Sequence, residues 1–365
     1  MNKTKIIAMY LPQYHCIPEN DEFWGKGFTD WTTVKNAKPL YNGHQQPRVP
    51  QSGEYYDLSL EKDVVWQSQL AVKHGVYGFG VYHYWFNNEK NLLTKPAEII
   101  RDSKDIDINY FLAWDNASWV RSWTNVSGNA WSPTADKTVK KDGPAVMVQY
   151  ELGKEEDWKN HFDNLLSHFR SPRYIKVDGK PMFFIFNYNE AIGRMCAYWN
   201  QLAVEAGFNG VYFVIKYKPN IKIDKGLCQF KYEPLHSGWS IPTFFNRIED
   251  KIKRTFNIQL RLRKYDYDDV WQSIIRNAEQ DKDPNMLHGA FVSYDDTPRR
   301  GRNGRVVTNS TPEKFQQYME KLVNISTRQG KEFIFITAWN EWGEGAYFEP
   351  DTINGNKYLE ALSRI

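Results

Sequence analysis

Short runs of apolar, β-branched and aromatic residues recur along the chain, and stretches of helical spacing lie between them. The runs fall at 5–11, 76–85, 108–114, 181–187, 210–216, 226–232, 289–294 and 332–339. The intervening stretches predict helices at 64–73, 95–103, 156–169, 191–206, 268–279 and 312–329. Strands alternating with helices predict βα units and a parallel sheet. Eight such strands favour a closed (β/α)8 barrel, an α/β fold, over an open doubly wound sheet. The open sheet would also call for a glycine-rich phosphate turn, and neither G-x-G-x-x-G nor G-x-x-x-x-G-K-[ST] occurs. The weakest run is 226–232.

Three segments exceed a minimal barrel, at about 16–57, 117–150 and 238–265. A barrel can absorb them as insertions, so one catalytic domain is expected over 1–365. The first two follow strands, which places them on the C-terminal face where barrel enzymes build their sites. The third carries Lys251, Lys253, Arg254, Arg261, Arg263 and Lys264. Such a basic stretch reads as a solvated helix face, or as a contact for an anionic glycan or lipid headgroup.

Composition adds one strong signal. Aromatic residues make up 16% of the chain, with 14 Trp and 22 Tyr. Their flat apolar faces and polar tips suit stacking on sugar rings, although an aromatic-rich core would use them too. The net charge of +3 gives no reason to expect a nucleic acid as partner. Cys16, Cys196 and Cys228 are too few and too scattered for a disulfide framework or a zinc cluster. The first fifteen residues lack the pattern of a signal peptide, and no stretch approaches about 20 apolar residues, so a cytoplasmic location without a membrane span is expected.

The predicted strand ends are loaded with polar and aromatic residues. Candidate sugar-binding residues are Tyr10, Gln13 and His15 after the first strand, and Trp31 in the loop beyond it. His83, Tyr84 and Trp85 end the second strand, while Trp114, Asn116 and Trp119 follow the third. Glu233 follows the sixth, Tyr294 and Asp296 the seventh, and Trp339, Asn340 and Trp342 the eighth. Glu341 and Glu344 are the candidate catalytic pair. On a continued strand, i and i+3 would face opposite sides, but Gly343 and Gly345 permit a turn that aims both at one cleft. Paired carboxylates are the usual equipment of glycoside cleavage, one ionised and one held protonated. The plainer alternative is a surface loop with two solvated glutamates.

At these residues the chain resembles the WbsX-like family, described as glycosyltransferase-like or as glycoside hydrolase family 99-like. The marks are Tyr10-Leu11-Pro12-Gln13-Tyr14-His15, Phe23-Trp24-Gly25-Lys26-Gly27-Phe28-Thr29-Asp30-Trp31, Tyr82-His83-Tyr84-Trp85-Phe86, Arg173-Tyr174-Ile175 with Gly179-Lys180-Pro181, and Trp339–Gly345. They cover nearly the whole chain. The resemblance implies a retaining, endo-α-mannosidase-like mechanism. In it Glu341 is the base on the sugar 2-hydroxyl, a 1,2-anhydro sugar forms, and Glu344 is the acid and base at the leaving oxygen. Gly343 stands where family 99 often has His.

Two other readings stay open. One is a glycosyltransferase in cell-surface polysaccharide (O-antigen or capsule) biosynthesis. The other is a non-catalytic glycan-binding barrel, which would not need both glutamates. Asp266-Tyr267-Asp268 has the letters of a metal-binding transferase motif but lies far from any strand end. No histidine spacing argues for a metal, and no cofactor is expected. His44, His74, His161, His168, His236 and His288 read mainly as core or surface residues.

Overall fold

The computed structural model describes residues 3–120, 146–239 and 262–365. Eight parallel strands form its centre: β1 (Lys5–Tyr10), β2 (Gly78–Asn87), β3 (Asn109–Trp114), β4 (Lys180–Ile185), β5 (Tyr212–Lys216), β6 (Cys228–Phe230), β7 (Met286–Phe291) and β8 (Phe333–Thr337). Each pairs with the next in sequence, and β1 pairs in parallel with both β2 and β8, which closes the barrel. Outside it lie α1 (Glu61–Lys73), α2 (Lys95–Asp102), α3 (Glu155–Arg170), α4 (Glu190–Glu205), α5 (Tyr267–Gln280), α6 (Pro312–Arg328) and α7 (Lys357–Ser363). The connection from β5 to β6, residues 217–227, carries no helix, and β6 is only three residues long. This matches the weak sequence signal at 226–232.

The strands are buried on both faces, and side-chain alternation decides what each face meets. Inward, Phe111, Phe184, Phe230 and Phe335 pack across the barrel. Ring centroids stand 5.8 Å apart for Phe111–Phe335 and 4.9 Å for both Phe230–Phe335 and Phe184–Phe230. Outward, Trp85 stacks on His161 of α3 at 4.5 Å, and Trp114 meets the same ring edge-on at 4.8 Å. The barrel-helix interface is thus as aromatic as the interior.

Helix starts follow local chemistry. Asn189 and Thr311 cap α4 and α6 through their side-chain oxygens. Asp266 caps α5, and Asp268 in its first turn pairs with Lys314 at 2.7 Å, so the Asp266-Tyr267-Asp268 triplet is a helix N-terminus. Among the described residues no helix is long and apolar enough to cross a membrane. Lys251, Lys253, Arg254 and Arg261 of the basic segment lie outside the described residues.

One buried pair gives a pH test of the packing. His83 Nε2 and His161 Nε2 are 2.9 Å apart, so one proton serves both. Burial pushes His83 down to about 3. In the unfolded chain His83 takes up a further proton near pH 6.5, whereas in the folded chain it does not until about pH 3. The contribution of His83 to stability is therefore present above pH 6.5 and lost as pH falls. The destabilisation caused by His83→Gln is expected to be smaller at pH 5 than at pH 7, by about 2 kcal/mol. Urea unfolding of both proteins at the two pH values measures this, and an equal loss at both would refute it.

Candidate active site

Beyond β8 the chain does not run on as a strand. Asn340–Glu341 pairs antiparallel with Ala346–Tyr347, and a 3-10 turn, Trp342–Glu344, joins them. Gly345 closes the turn with a φ of +58°, a conformation glycine adopts without strain. Three residues per 3-10 turn put positions i and i+3 on one side, so Glu341 and Glu344 point the same way. The hairpin is pinned from behind. The Asn340 amide accepts from Leu11 N at 2.7 Å and donates to Leu11 O at 3.0 Å. The Tyr14 hydroxyl accepts from Trp342 N and donates to Asn340 O. Trp342 stacks on Tyr347 at 3.8 Å, and its indole donates to buried Glu349. Glu349 also accepts from Tyr56 and Gln67, and burial pushes it up to about 7.

A single guanidinium meets both glutamates. Arg299 Nη2 lies 2.6 Å from Glu341 Oε1, Nη1 lies 3.1 Å from Glu344 Oε1, and Nη2 also lies 2.5 Å from Asp30 Oδ2. Arg299 lies in the short helix Thr297–Arg300 beyond β7, while Asp30 begins the short helix Asp30–Lys35 in the loop after β1. Gly343 leaves the space the arginine fills: a Cβ there would stand 2.5 Å from Arg299 Nε and 2.9 Å from its Cζ.

The two glutamates differ in exposure. The Glu341 side chain is 6% exposed and that of Glu344 is 20% exposed. Burial raises the Glu341 carboxyl above its ordinary range. Arg299 opposes this shift, while the charges of Glu344 and Asp30 reinforce it. Burial and the two neighbouring carboxylates therefore favour the protonated form of Glu341 against the pull of Arg299.

The pair faces a cleft of about 840 Å3, measured out to its open mouth. One side is lined by Tyr82, Asp115, Phe186, Lys216 and Tyr232, the other by Trp239, Tyr294, Asp296, Arg300 and Arg305, with Gln13 and Tyr84 beside the glutamates. Burial pushes Asp115 up to about 6 against the charge of Lys216. Burial and the charge of Glu344 push Asp296 up to about 6 against Arg300 and Arg305. Among the described residues no group of three His, Cys, Asp or Glu side chains is arranged to hold a metal.

Of the residues expected from sequence, the structure brings Gln13, Tyr84, Tyr294, Asp296, Glu341 and Glu344 to this cleft. It places the others elsewhere. Tyr10 faces outward and bonds Gln67, and Trp31 packs behind the turn against Tyr14 and Trp342. His83, Trp85 and Trp114 pack around His161. His15 is buried without lining the cleft. Asn116 ties to the backbone of Asn187, and Trp119 packs on Tyr84 and Phe86. Glu233 accepts from the backbone and hydroxyl of Ser237, and burial pushes it up to about 7. Trp339 packs on Phe79, and Asn340 and Trp342 brace the turn.

Asp30, Tyr82, Asp115, Phe186, Lys216, Tyr232, Arg299, Arg300 and Arg305 were not among the sequence candidates. Several were within reach of a simple signal. Tyr82 and Tyr84 share a face of β2, and Asp115 continues the inward face of Phe111 and Ala113. Choosing every second residue at each strand end would have selected Asp115 over Trp114.

The fold and the cleft define a class: a (β/α)8 barrel with paired glutamates on a turn beyond β8. Residues 6–362 match the family described as Glycosyltransferase WbsX, and the chain belongs to that family. The uncharacterized protein WxcX of Xanthomonas campestris pv. campestris is 27% identical over 369 residues, 98% of this chain and 48% of the relative. The chain thus spans about half the length of the curated relatives it matches. Among solved structures, the GH99 endo-alpha-mannosidase from Bacteroides thetaiotaomicron superimposes with a TM-score of 0.52 at 14% identity, covering 98% of this chain and 94% of that one. A protein described as glycoside hydrolase-like gives a TM-score of 0.57 at 13% identity, covering 100% and 94%. These are likenesses of fold.

Proposed function

We propose that the cleft cleaves an α-mannoside-like linkage within a polysaccharide, with retention, through a 1,2-anhydro sugar. The observation that carries this reading is the pairing of a buried glutamate with a cleft-facing one on one side of a single turn, both held by Arg299. One Glu341 oxygen is engaged by the arginine, which leaves the other to take the proton of a sugar 2-hydroxyl. The freed O2 attacks C1 as the glycosidic C–O bond breaks, and Glu344 gives its proton to the departing oxygen. In the second half Glu344 takes a proton from water, whose oxygen attacks C1. The epoxide C–O bond opens, and O2 recovers its proton from Glu341.

The family description favours a second reading, in which a sugar hydroxyl takes the place of water and the net reaction is glycosyl transfer. A panel of α-linked glycans, incubated with and without added sugar nucleotides and analysed by product mass, separates the two. Fragments formed without a sugar nucleotide support hydrolysis. Products that gain a sugar only when a nucleotide donor is present overturn it.

Gly343→Ala tests the role of the turn. The added methyl displaces a guanidinium held by three carboxylates, so Glu341 and Glu344 lose their alignment. Turnover is expected to fall about 10²-fold, the scale of a roughly 1 Å misplacement. Initial rates on the cleaved glycan measure this, and unchanged turnover would disconnect the arginine from the reaction.

A further inference from the structure

Asp30 stands apart from the rest of the ion cluster. Arg299, Glu341 and Glu344 line the cleft, whereas Asp30 is buried and does not. Local structure fixes its place. The Asp30 backbone N–H donates to Gln13 O at 3.2 Å, and the ring of the next residue, Trp31, stands 4.5 Å from Tyr14 and 5.4 Å from Trp342. The start of the helix Asp30–Lys35 is thereby tied both to the end of β1 and to the turn that carries the glutamates.

A buried carboxylate outside the cleft acts on a bound sugar only through its partner. Asp30 Oδ2 and Glu341 Oε1 stand 2.5 and 2.6 Å from the same nitrogen, Arg299 Nη2, while Glu344 takes Nη1 at 3.1 Å. Nη2 has two N–H bonds, one for each of its carboxylates. Three carboxylates thus meet one positive charge. A Glu341 that had the guanidinium to itself would be held firmly in its ionised form, and a carboxylate so held is a poor base. A second anion on the same nitrogen opposes that hold, because it repels an ionised Glu341 at short range.

The other groups facing Glu341 do not replace it. Tyr14 from the loop after β1, Tyr82 and Tyr84 of β2, and Tyr232 beyond β6 surround the carboxyl, and burial keeps all four phenols well above their ordinary range and neutral. Glu344 is the remaining anion of the cluster. As the acid it must carry a proton when the glycosidic bond breaks, so its charge is absent at that step. Among the described residues, Asp30 is then the carboxylate left to balance Arg299 against Glu341.

We propose that Asp30 is a positioning residue for the base: by sharing Nη2 it keeps Arg299 from neutralising Glu341 and leaves that carboxylate able to take the proton of the attacking hydroxyl. This rests on reading Glu341 as the base. The proton passes from the sugar oxygen to Glu341, and Asp30 neither gains nor loses one.

Asp30→Asn keeps the size of the side chain and an oxygen toward Arg299, and removes the charge. The direct readout is the Glu341 carboxyl, followed by 13C NMR in protein labelled at the glutamate carboxyl carbon, with Glu341→Gln identifying its resonance. In Asp30→Asn the midpoint of that titration is expected to lie about one unit lower than in the parent. The acidic limb of kcat/KM for a glycan that the parent cleaves should move down with it. Limiting turnover should fall about threefold, because a weaker base removes the proton more slowly. Asp30→Ala repeats the test without the amide. An unmoved Glu341 midpoint in both variants would overturn the proposal, and so would failure of both to fold, which would make Asp30 an anchor of the structure alone. The titration involves no glycan, so in a chain that cleaves none the midpoint still decides. Normal cleavage by the parent with an unmoved midpoint in the variants sinks this inference and spares the hydrolytic reading.

Discussion

Exchanging Glu341 or Glu344 for Gln is expected to lower glycan cleavage by about 10³-fold or more, with little change in substrate affinity or stability. Glutamine matches glutamate in size and keeps an oxygen toward Arg299, so the turn and the cleft stay as they are. What disappears is the ability to take up or give a proton. The two variants should fail differently. A substrate with a leaving group that needs no protonation bypasses the acid, so it restores the first step in Glu344→Gln but not in Glu341→Gln. Rates on a natural glycan and on such an activated glycoside, measured for both variants, read the roles directly. Normal turnover by either variant on the natural glycan removes that residue from the mechanism. Undiminished glycan binding by the double variant, with no reaction in the parent, would identify a binding barrel instead.

Replacing Arg299 with Leu is expected to have the largest effect on folding. The guanidinium is buried and meets Asp30, Glu341 and Glu344. Removing it leaves carboxylates in a low-dielectric site with no cation, and breaking a buried pair in this way costs about 3–5 kcal/mol. The cost should depend on pH in a defined direction. Without the arginine, the folded-state pKa of Glu341, which burial already raises, moves further above its unfolded value. The folded chain then binds more protons, and the deficit shrinks as pH falls toward 5. Arg299→Lys keeps a charge but not the fork, so it should recover part of the stability while turnover stays low. Chemical denaturation of the three proteins at pH 5 and pH 7 gives the comparison. A deficit below about 1 kcal/mol at pH 7 would mean that the carboxylates are neutral or solvated without the arginine.

Most of the scaffold was legible before any coordinates. All eight apolar runs became barrel strands and the six expected helices formed, because burial between layers imposes a periodicity that local sequence records directly. The site was legible only in part. Glu341 and Glu344 stood out through their tryptophans and glycines, and the 3-10 turn brings them to one side as the glycines permitted. The error lay at the other strand ends, where large aromatics drew the choice. Trp85 and Trp114 are outward residues that build the seam with α3, while their smaller or charged neighbours Tyr84 and Asp115 face inward. Residue type was a poorer guide there than strand parity.

The sequence by itself determined the order of strands and helices, the aromatic character of both packing interfaces, and the turn that carries the two glutamates. Each is a local pattern, set by apolar spacing or by backbone freedom within a few residues. The tertiary structure alone decided that Asp30, Arg299 and the Glu341–Glu344 turn share one ion cluster. Closing the barrel sets the loop after β1 and the loop after β7 beside β8, so charges separated by most of the chain come within 2.5–3.1 Å. Coulomb interaction and the cost of burying charge depend on that distance and on the surrounding dielectric, and neither is written in the spacing of residues along the chain.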